Sequence, residues 1–286
     1  MDSKKVSLLT LCDLSKAFDS VSHTILLRKC LECNIDPFWF SSYLSNRTQS
    51  VRINNVMSSE TDISYGVPQG SVLGPVLFNI YVNDLSRYIP DCEIIQYADD
   101  TQLIHTGNID NIDDLVRKCE DTLNTAKIYF HQNGLLLNAK KTQCMFIGTR
   151  GLLLRIPPDT SVRIDGNVIP PSISLKNLGV YFDPHLLFDK HITEISKKIY
   201  GTLMYVNRIK DNFNKNTRII VIQSLIMSII NYGITIWGST NSTQIERVQK
   251  LQNFAAKVAL GGAARSGHVT PFLKELRWLK ICQNIN

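Results

Sequence analysis

A chain of 286 residues, 44% of them hydrophobic and 20% charged, can bury one large core or two ordinary ones, which excludes global disorder. A net charge of +6 is compatible with a nucleic-acid partner but too weak to prove one. Seven cysteines, an odd number, follow no secretory leader, since the apolar run after Met1-Asp2-Ser3-Lys4-Lys5 is short and soon meets Asp13. The expectation is reduced thiols in an intracellular protein, with no signal choosing between nucleus and cytoplasm.

Val6 to Cys12 has the pattern of a buried strand, and it ends at Asp13, where a strand hands over to a loop. A carboxylate there is a site position in an open sheet, or simply the cap of a helix starting near Ser15. His23 to Cys33 and Phe38 to Leu44 read as helices, the second opened by Asp36-Pro37. Cys30 and Cys33 have no second Cys/His pair at zinc spacing and read as helix packing. Gln49 to Ile53 and Asp62 to Tyr65 alternate as hairpin strands.

Gly66-Val67-Pro68-Gln69-Gly70-Ser71-Val72-Leu73-Gly74-Pro75 then feeds an apolar helix, Val76 to Leu85. Such a loop lets backbone approach a ligand and offers N–H groups to phosphate, yet it is neither a Walker loop nor a dinucleotide fingerprint. As a bare pattern it is also compatible with a tight turn. Glu93 to Tyr97 and Thr101 to His105 are strands flanking Ala98-Asp99-Asp100. Adjacent carboxylates at a strand junction raise each other's pKa unless a cation intervenes; alone, the pair reads equally as an acidic turn.

Ile112 to His131 is a helix closed by Asn133-Gly134, and Leu135 to Ile147 is strand, polar loop, strand. Thr149 to Ser174 reads as hairpins and loops, and Leu175 to Asp183 as the last strand pair. From about Lys190 the chain turns helical, with further helices over Asn216 to Asn231 and Ile245 to Leu260; Pro184-His185 is the expected domain boundary. Ile219 to Ile236 lacks charge, but Gln223, Ser224, Ser228, Asn231 and Gly233 argue for a buried helix over a membrane span.

Asp13, Asp99 and Asp100 with a Gly/Pro loop between them form the kind of set that phosphoryl transfer uses, in which carboxylates hold two Mg²⁺ beside substrate phosphates. Asp13-x-x-x-x-Phe18-Asp19, Gly66 to Pro75, Tyr97-Ala98-Asp99-Asp100 and Asn138-Ala139-Lys140-Lys141-Thr142 together resemble the ordered palm motifs of reverse transcriptases. Leu175 to Val180 and Tyr232-Gly-Ile-Thr-Ile-Trp237 are similar in wording to non-LTR (LINE-type) retrotransposon polymerases. Asn138-Ala139 departs from the commoner Asn-Pro.

The resemblance implies an α+β fold: a palm of antiparallel sheet with packed helices over 1–184, then a helical thumb over 185–286. It implies RNA-directed DNA polymerase activity with an RNA template, a DNA primer and deoxynucleoside triphosphates, and two Mg²⁺, or Mn²⁺, on Asp13, Asp99 and Asp100. Phe18 becomes the steric gate against a ribose 2′-OH; Leu14, Pro68, Gln69 and Gly70 become substrate contacts; Lys141 becomes the acid for leaving pyrophosphate. Leu178-Gly179 resembles the primer-gripping hairpin, and Lys190, Lys197, Lys198, Arg208 and Lys210 are candidate phosphate contacts, or else a solvated face. Only twelve residues precede Asp13, where fingers are expected, so the expectation is a truncated copy with impaired activity. The alternative is a catalytically silent nucleic-acid-binding remnant, and an RNA-templated RNA polymerase is a third reading that Phe18 opposes.

Overall fold

A computed structural model describes residues 4–262 and 268–284. By contacts the chain divides into two compact units, Met1–Ser172 and Ile173–Asn286.

The first unit is organised on a four-stranded antiparallel sheet in the order Gln143–Ile147, Lys5–Cys12, Asp100–Asn108, Glu93–Tyr97. Strand Lys5–Cys12 lies inside the sheet, and its buried run Val6, Leu8, Leu9 and Cys12 explains why the sequence there reads as continuous apolar strand. Side chains alternate across it. Val6, Leu8 and Cys12, with Leu103, meet Leu115, Cys119 and Leu123 of the long helix Ile112–Gln132. Asn133 and Gly134, the latter at φ +69°, end that helix as expected. A second core joins Leu14, Val21 and Leu26 to Leu77, Phe78, Tyr81 and Tyr129, holding helices His23–Glu32 and Leu73–Val82 together. Cys30 is fully buried in it, as the helix-packing reading required, whereas Cys33, just past the end of its helix, is exposed and does not pack.

Two expectations move, and a third gains an element. The apolar helix begins at Leu73, not Val76, so Gly74 and Pro75 lie in its first turn, where proline lacks no needed donor. The hairpin expected over 49–65 is two short ladders, Thr48–Gln49 with Thr61–Asp62 and Arg52–Ile53 with Val56–Met57. All eight residues are exposed, so no buried face enforces one continuous register. Within Thr149 to Ser174, Val162–Ile164 and Asn167–Ile169 form a hairpin around Asp165-Gly166, both at positive φ, and Arg150–Leu153 adds a short helix.

The second unit starts with the hairpin Leu175–Asn177/Val180–Phe182 and continues as helices, the longest being Asp189–Ile209 and Ser242–Ala259. The unit boundary therefore falls before this hairpin and not at Pro184-His185. The Asp183 carboxylate accepts backbone N–H bonds from His185 (3.1 Å), Leu187 (3.1 Å) and Phe188 (2.5 Å), which makes that stretch a tied turn and not a linker. Val180 and Phe188 share one core with Ile192, Ile199, Ile226 and Trp237. The helix expected over 216–231 is Lys215–Ile222 continued through a π turn, Gln223–Met227, into Ser228–Asn231. Among the described residues no helix is long and apolar enough to cross a membrane.

Candidate active site

The ladder between strands Lys5–Cys12 and Asp100–Asn108 pairs Leu11 with Gln102 and Cys12 with Thr101. One step further along the same register sets Asp13 opposite Asp100. Period two puts both on the sheet face opposite the long helix, because Cys12 faces that helix. Asp99 sits at the tip of the adjoining turn, where Tyr97 pairs Asp100 and Ala98 takes φ +53°. Residues 87 positions apart are thus neighbours through strand pairing alone.

The Asp100 carboxyl is pushed above the usual carboxylate range, first by partial burial and then by the charges of Asp99 and Asp13. Asp13 Oδ2 is occluded and accepts no hydrogen bond, although the Lys141 ammonium stands 4.0 Å away. Lys141 is held near by the turn it belongs to: Asn138 N–H donates to the Asp13 carbonyl (2.8 Å), and Lys141 and Thr142 N–H donate back to the Asn138 carbonyl (3.1 and 2.9 Å). A carboxylate oxygen that is occluded and accepts no hydrogen bond, beside two further acids, suits a hard cation. The donor set is incomplete: among the described residues no three His, Cys, Asp or Glu side chains converge closely enough to hold a metal by themselves. Mg²⁺ needs no such cage when substrate phosphate and water supply the remaining oxygens.

A cavity of about 520 Å³ opens beside Asp99. Leu14, Phe18, Pro68, Gln69 and Gly70 all line it, so these five residues share one cavity, while Lys141 does not line it. The Phe18 ring packs on Phe78 with centroids 5.0 Å apart, so it serves both as cavity wall and as core. The glycine loop is fastened to the segment carrying Phe18. Val67 N–H donates to the Phe18 carbonyl (2.9 Å), and Gly66 N–H to that of Val21 (2.7 Å). Gly66 has φ +88°, and a Cβ there would meet the Asp19 carbonyl oxygen at 3.0 Å. Ser71 Oγ donates to the Pro68 carbonyl (2.7 Å) and accepts from Gly74 N–H (3.0 Å), closing the loop onto its helix.

Sequence reasoning assigned no role to Lys16, Ser71 or Asp19. Lys16 and Ser71 line the cavity; Asp19 accepts a 2.7 Å bond from Gln69 Nε2 and so aims that amide. A position inside Asp13-x-x-x-x-Phe18-Asp19 was the available signal for Lys16 and Asp19.

In the second unit, Leu178 and Gly179 form the hairpin tip with φ +43° and +85°. Leucine rarely adopts that conformation, and such strain collects at functional positions. Tyr232 Oη donates to the Leu178 carbonyl at 2.5 Å and braces it. Of the candidate phosphate-contacting cations, Lys210 is bonded to the Gly262 carbonyl (3.3 Å) and Lys197 is paired with Glu194 (3.0 Å). Lys190 stands over the Tyr181 ring, 4.9 Å from its centroid.

A mixed sheet-and-helix unit with acids at a strand end and a facing turn, opening on a glycine-walled cavity, has the architecture of a polymerase palm. Residues 1–182 match the family described as reverse transcriptase (RNA-dependent DNA polymerase), and the chain belongs to that family. Among named proteins it is 28% identical over 271 residues to a probable RNA-directed DNA polymerase from transposon BS of Drosophila melanogaster, covering 90% of this chain and 29% of that protein. It is 24% identical over 264 residues to the RNA-directed DNA polymerase from mobile element jockey of the same fly, covering 88% and 28%. These relatives are polymerases of non-LTR retrotransposons, and the chain spans under a third of their length. Among solved structures, apo telomerase from Candida tropicalis aligns with 98% of this chain and 47% of its own, at 13% identity and a TM-score of 0.48, a likeness too distant to argue from.

Proposed function

We propose that this chain is the catalytic palm and thumb portion of a non-LTR retrotransposon polymerase, copying RNA into DNA. The observation that carries the reading is the strand register that sets Asp13 opposite Asp100, with Asp99 facing the cavity walled by Phe18 and Gln69.

In this reading Asp13, Asp99 and Asp100 hold two divalent ions, Mg²⁺ or in its place Mn²⁺. When bound, these supply activation of the primer 3′-hydroxyl and charge neutralisation on the departing pyrophosphate. Gln69, aimed by Asp19, and the loop backbone at Pro68 and Gly70 seat the incoming nucleotide. Leu14 and Phe18 form the apolar floor against its sugar, where the Phe18 ring, fixed by Phe78, excludes a 2′-hydroxyl. Lys141 gives its proton to the pyrophosphate oxygen as the bond to the α-phosphorus breaks. The strained Leu178-Gly179 tip holds the primer strand, and Lys190 and Lys198 meet duplex phosphates.

The test is extension of a DNA primer on an RNA template with deoxynucleotides and Mg²⁺. Extension that is lost in Asp99→Asn, together with ribonucleotide incorporation gained in Phe18→Ala, is the expected result. Binding of template-primer with no extension at any Mg²⁺ or Mn²⁺ concentration refutes catalysis. It favours the second reading, a silent nucleic-acid-binding remnant.

A further inference from the structure

The first unit contains a buried charge that the site does not use. Lys29 lies on helix His23–Glu32 with its side chain 4% exposed, and its ammonium has three acceptors for its three protons. They are the Tyr81 carbonyl at 2.7 Å, Asp84 Oδ1 at 2.6 Å and Tyr129 Oη at 3.0 Å. Tyr129 in turn donates to Asp84 Oδ1 at 2.5 Å. Burial lowers the Lys29 pKa; it also opposes the Asp84 charge, but bonds from Lys29 and Tyr129 outweigh this and keep that carboxyl below its usual range.

The three acceptors come from three places. Tyr81 is in the last turn of helix Leu73–Val82, Asp84 follows that helix, and Tyr129 is on the long helix Ile112–Gln132. A cation on a C-terminal carbonyl satisfies a group the helix cannot and complements its dipole. Tyr81 adds a second anchor through its side chain. Its hydroxyl donates to the Asn133 carbonyl (2.6 Å) and accepts from Ser22 N–H (3.2 Å), just after the segment that carries Phe18 and Asp19. The opposite end of this same helix continues directly from the glycine loop that walls the cavity. Phe78, in its middle, is what Phe18 packs on.

We infer that Lys29 is a positioning residue for nucleotide binding: with Asp84 and Tyr129 it clamps the far end of helix Leu73–Val82, which fixes the depth at which the Gly66–Pro75 loop and the Phe18 ring sit in the cavity. The clamp does not touch substrate. It rests on the proposed nucleotide-binding reading of that cavity, and it predicts that loosening the clamp is felt at the loop before it is felt in the sheet.

The test uses the full chain with Lys29→Met/Asp84→Asn, which removes both charges together and so leaves no buried ion unpaired, and Lys29→Arg, which keeps the charge but replaces a tetrahedral donor by a planar one. Amide hydrogen exchange is followed over residues 66–75 and, as reference, over strands Lys5–Cys12 and Asp100–Asn108. In both variants exchange in the loop is expected to speed up by about tenfold while the strands exchange as in the wild type. In primer extension the KM for the nucleotide is expected to rise by about tenfold with kcat changed less than twofold, the split that lost binding geometry gives. Unchanged loop exchange overturns the proposal, as does equal acceleration in loop and strands, which marks Lys29 as merely structural. If the wild type does not extend primers, the functional reading has failed and exchange alone decides the clamp; if it does extend, a KM that stays put while the loop loosens also overturns the proposal.

Discussion

Adding one methyl at Gly66 and the same methyl at Gly70 separates two causes of glycine usage in the cavity loop. Both residues have left-handed backbone, φ +88° and +77°. At Gly70 nothing lies within 4 Å of the added Cβ, so Gly70→Ala carries only the conformational penalty, about 1–2 kcal/mol. At Gly66 the same methyl also meets the Asp19 carbonyl oxygen at 3.0 Å and its Cα at 3.1 Å. Those are backbone atoms and cannot swing aside, so overpacking adds about 1–3 kcal/mol. Gly66→Ala is then expected to cost about 3 kcal/mol, which for a unit of this size is a Tm loss of roughly 6–12 °C. A backbone shift that relieves the contact strains the 2.7 Å Gly66–Val21 bond, in the same loop that bonds Asp19 through Gln69. Urea and thermal unfolding of both variants, with nucleotide KM in parallel, read the difference. Equal stability losses at the two positions refute the steric argument, whatever the activity.

Asp100→Asn is expected to stabilise the metal-free protein while abolishing primer extension. The folded pKa of Asp100 is raised, so its penalty is absent in acid, grows as pH rises past the ordinary carboxylate pKa of 3.8, and is complete above the folded value. The gain in Tm should follow the same course, and the Mg²⁺-induced rise in Tm should shrink; a Tm gain independent of pH speaks against carboxylate repulsion. In the second unit, Trp237 is fully buried and its indole N–H donates to the Tyr232 carbonyl at 3.0 Å, so Trp237→Ala should cost about 3–5 kcal/mol by urea unfolding. A loss under 1 kcal/mol contradicts that packing. Tyr232→Phe removes only the bond to Leu178, about 1 kcal/mol, and its effect should concentrate in amide exchange at residues 177–180.

The helices, the sheet strands and the acidic trio were legible because each rests on short-range pattern: the run at Val6–Cys12, the apolar spacing from Leu115 to Phe130, the Asn133-Gly134 stop. The trio became a candidate site only through ordered motifs, since no local rule says that Asp13 will face Asp100; strand register does that. Lys29 was illegible for the same reason. Its helix reads as amphipathic, and its acceptors lie 52, 55 and 100 residues away. The Pro184-His185 boundary misled because a proline in a polar stretch looks like a linker, while Asp183 binds three backbone amides there. The 49–65 arm misled in the opposite sense. Alternation suggested one hairpin of strands 49–53 and 62–65, yet Arg52–Ile53 pairs with Val56–Met57 instead, and Val51, Ile53, Val56 and Met57 are all exposed.

Because one ladder sets Asp13 against Asp100, tolerance to insertions and deletions should be lopsided along this chain. Losing a single residue within Lys5–Cys12 turns every later side chain of that strand to the other face and carries the first aspartate away from its companions. A residue gained in the exposed arm between Thr48 and Asp62 leaves the companionship intact. Differences in length among relatives should therefore gather in that arm, and a chain with a shifted first strand is expected to lose its Mg²⁺-induced rise in Tm.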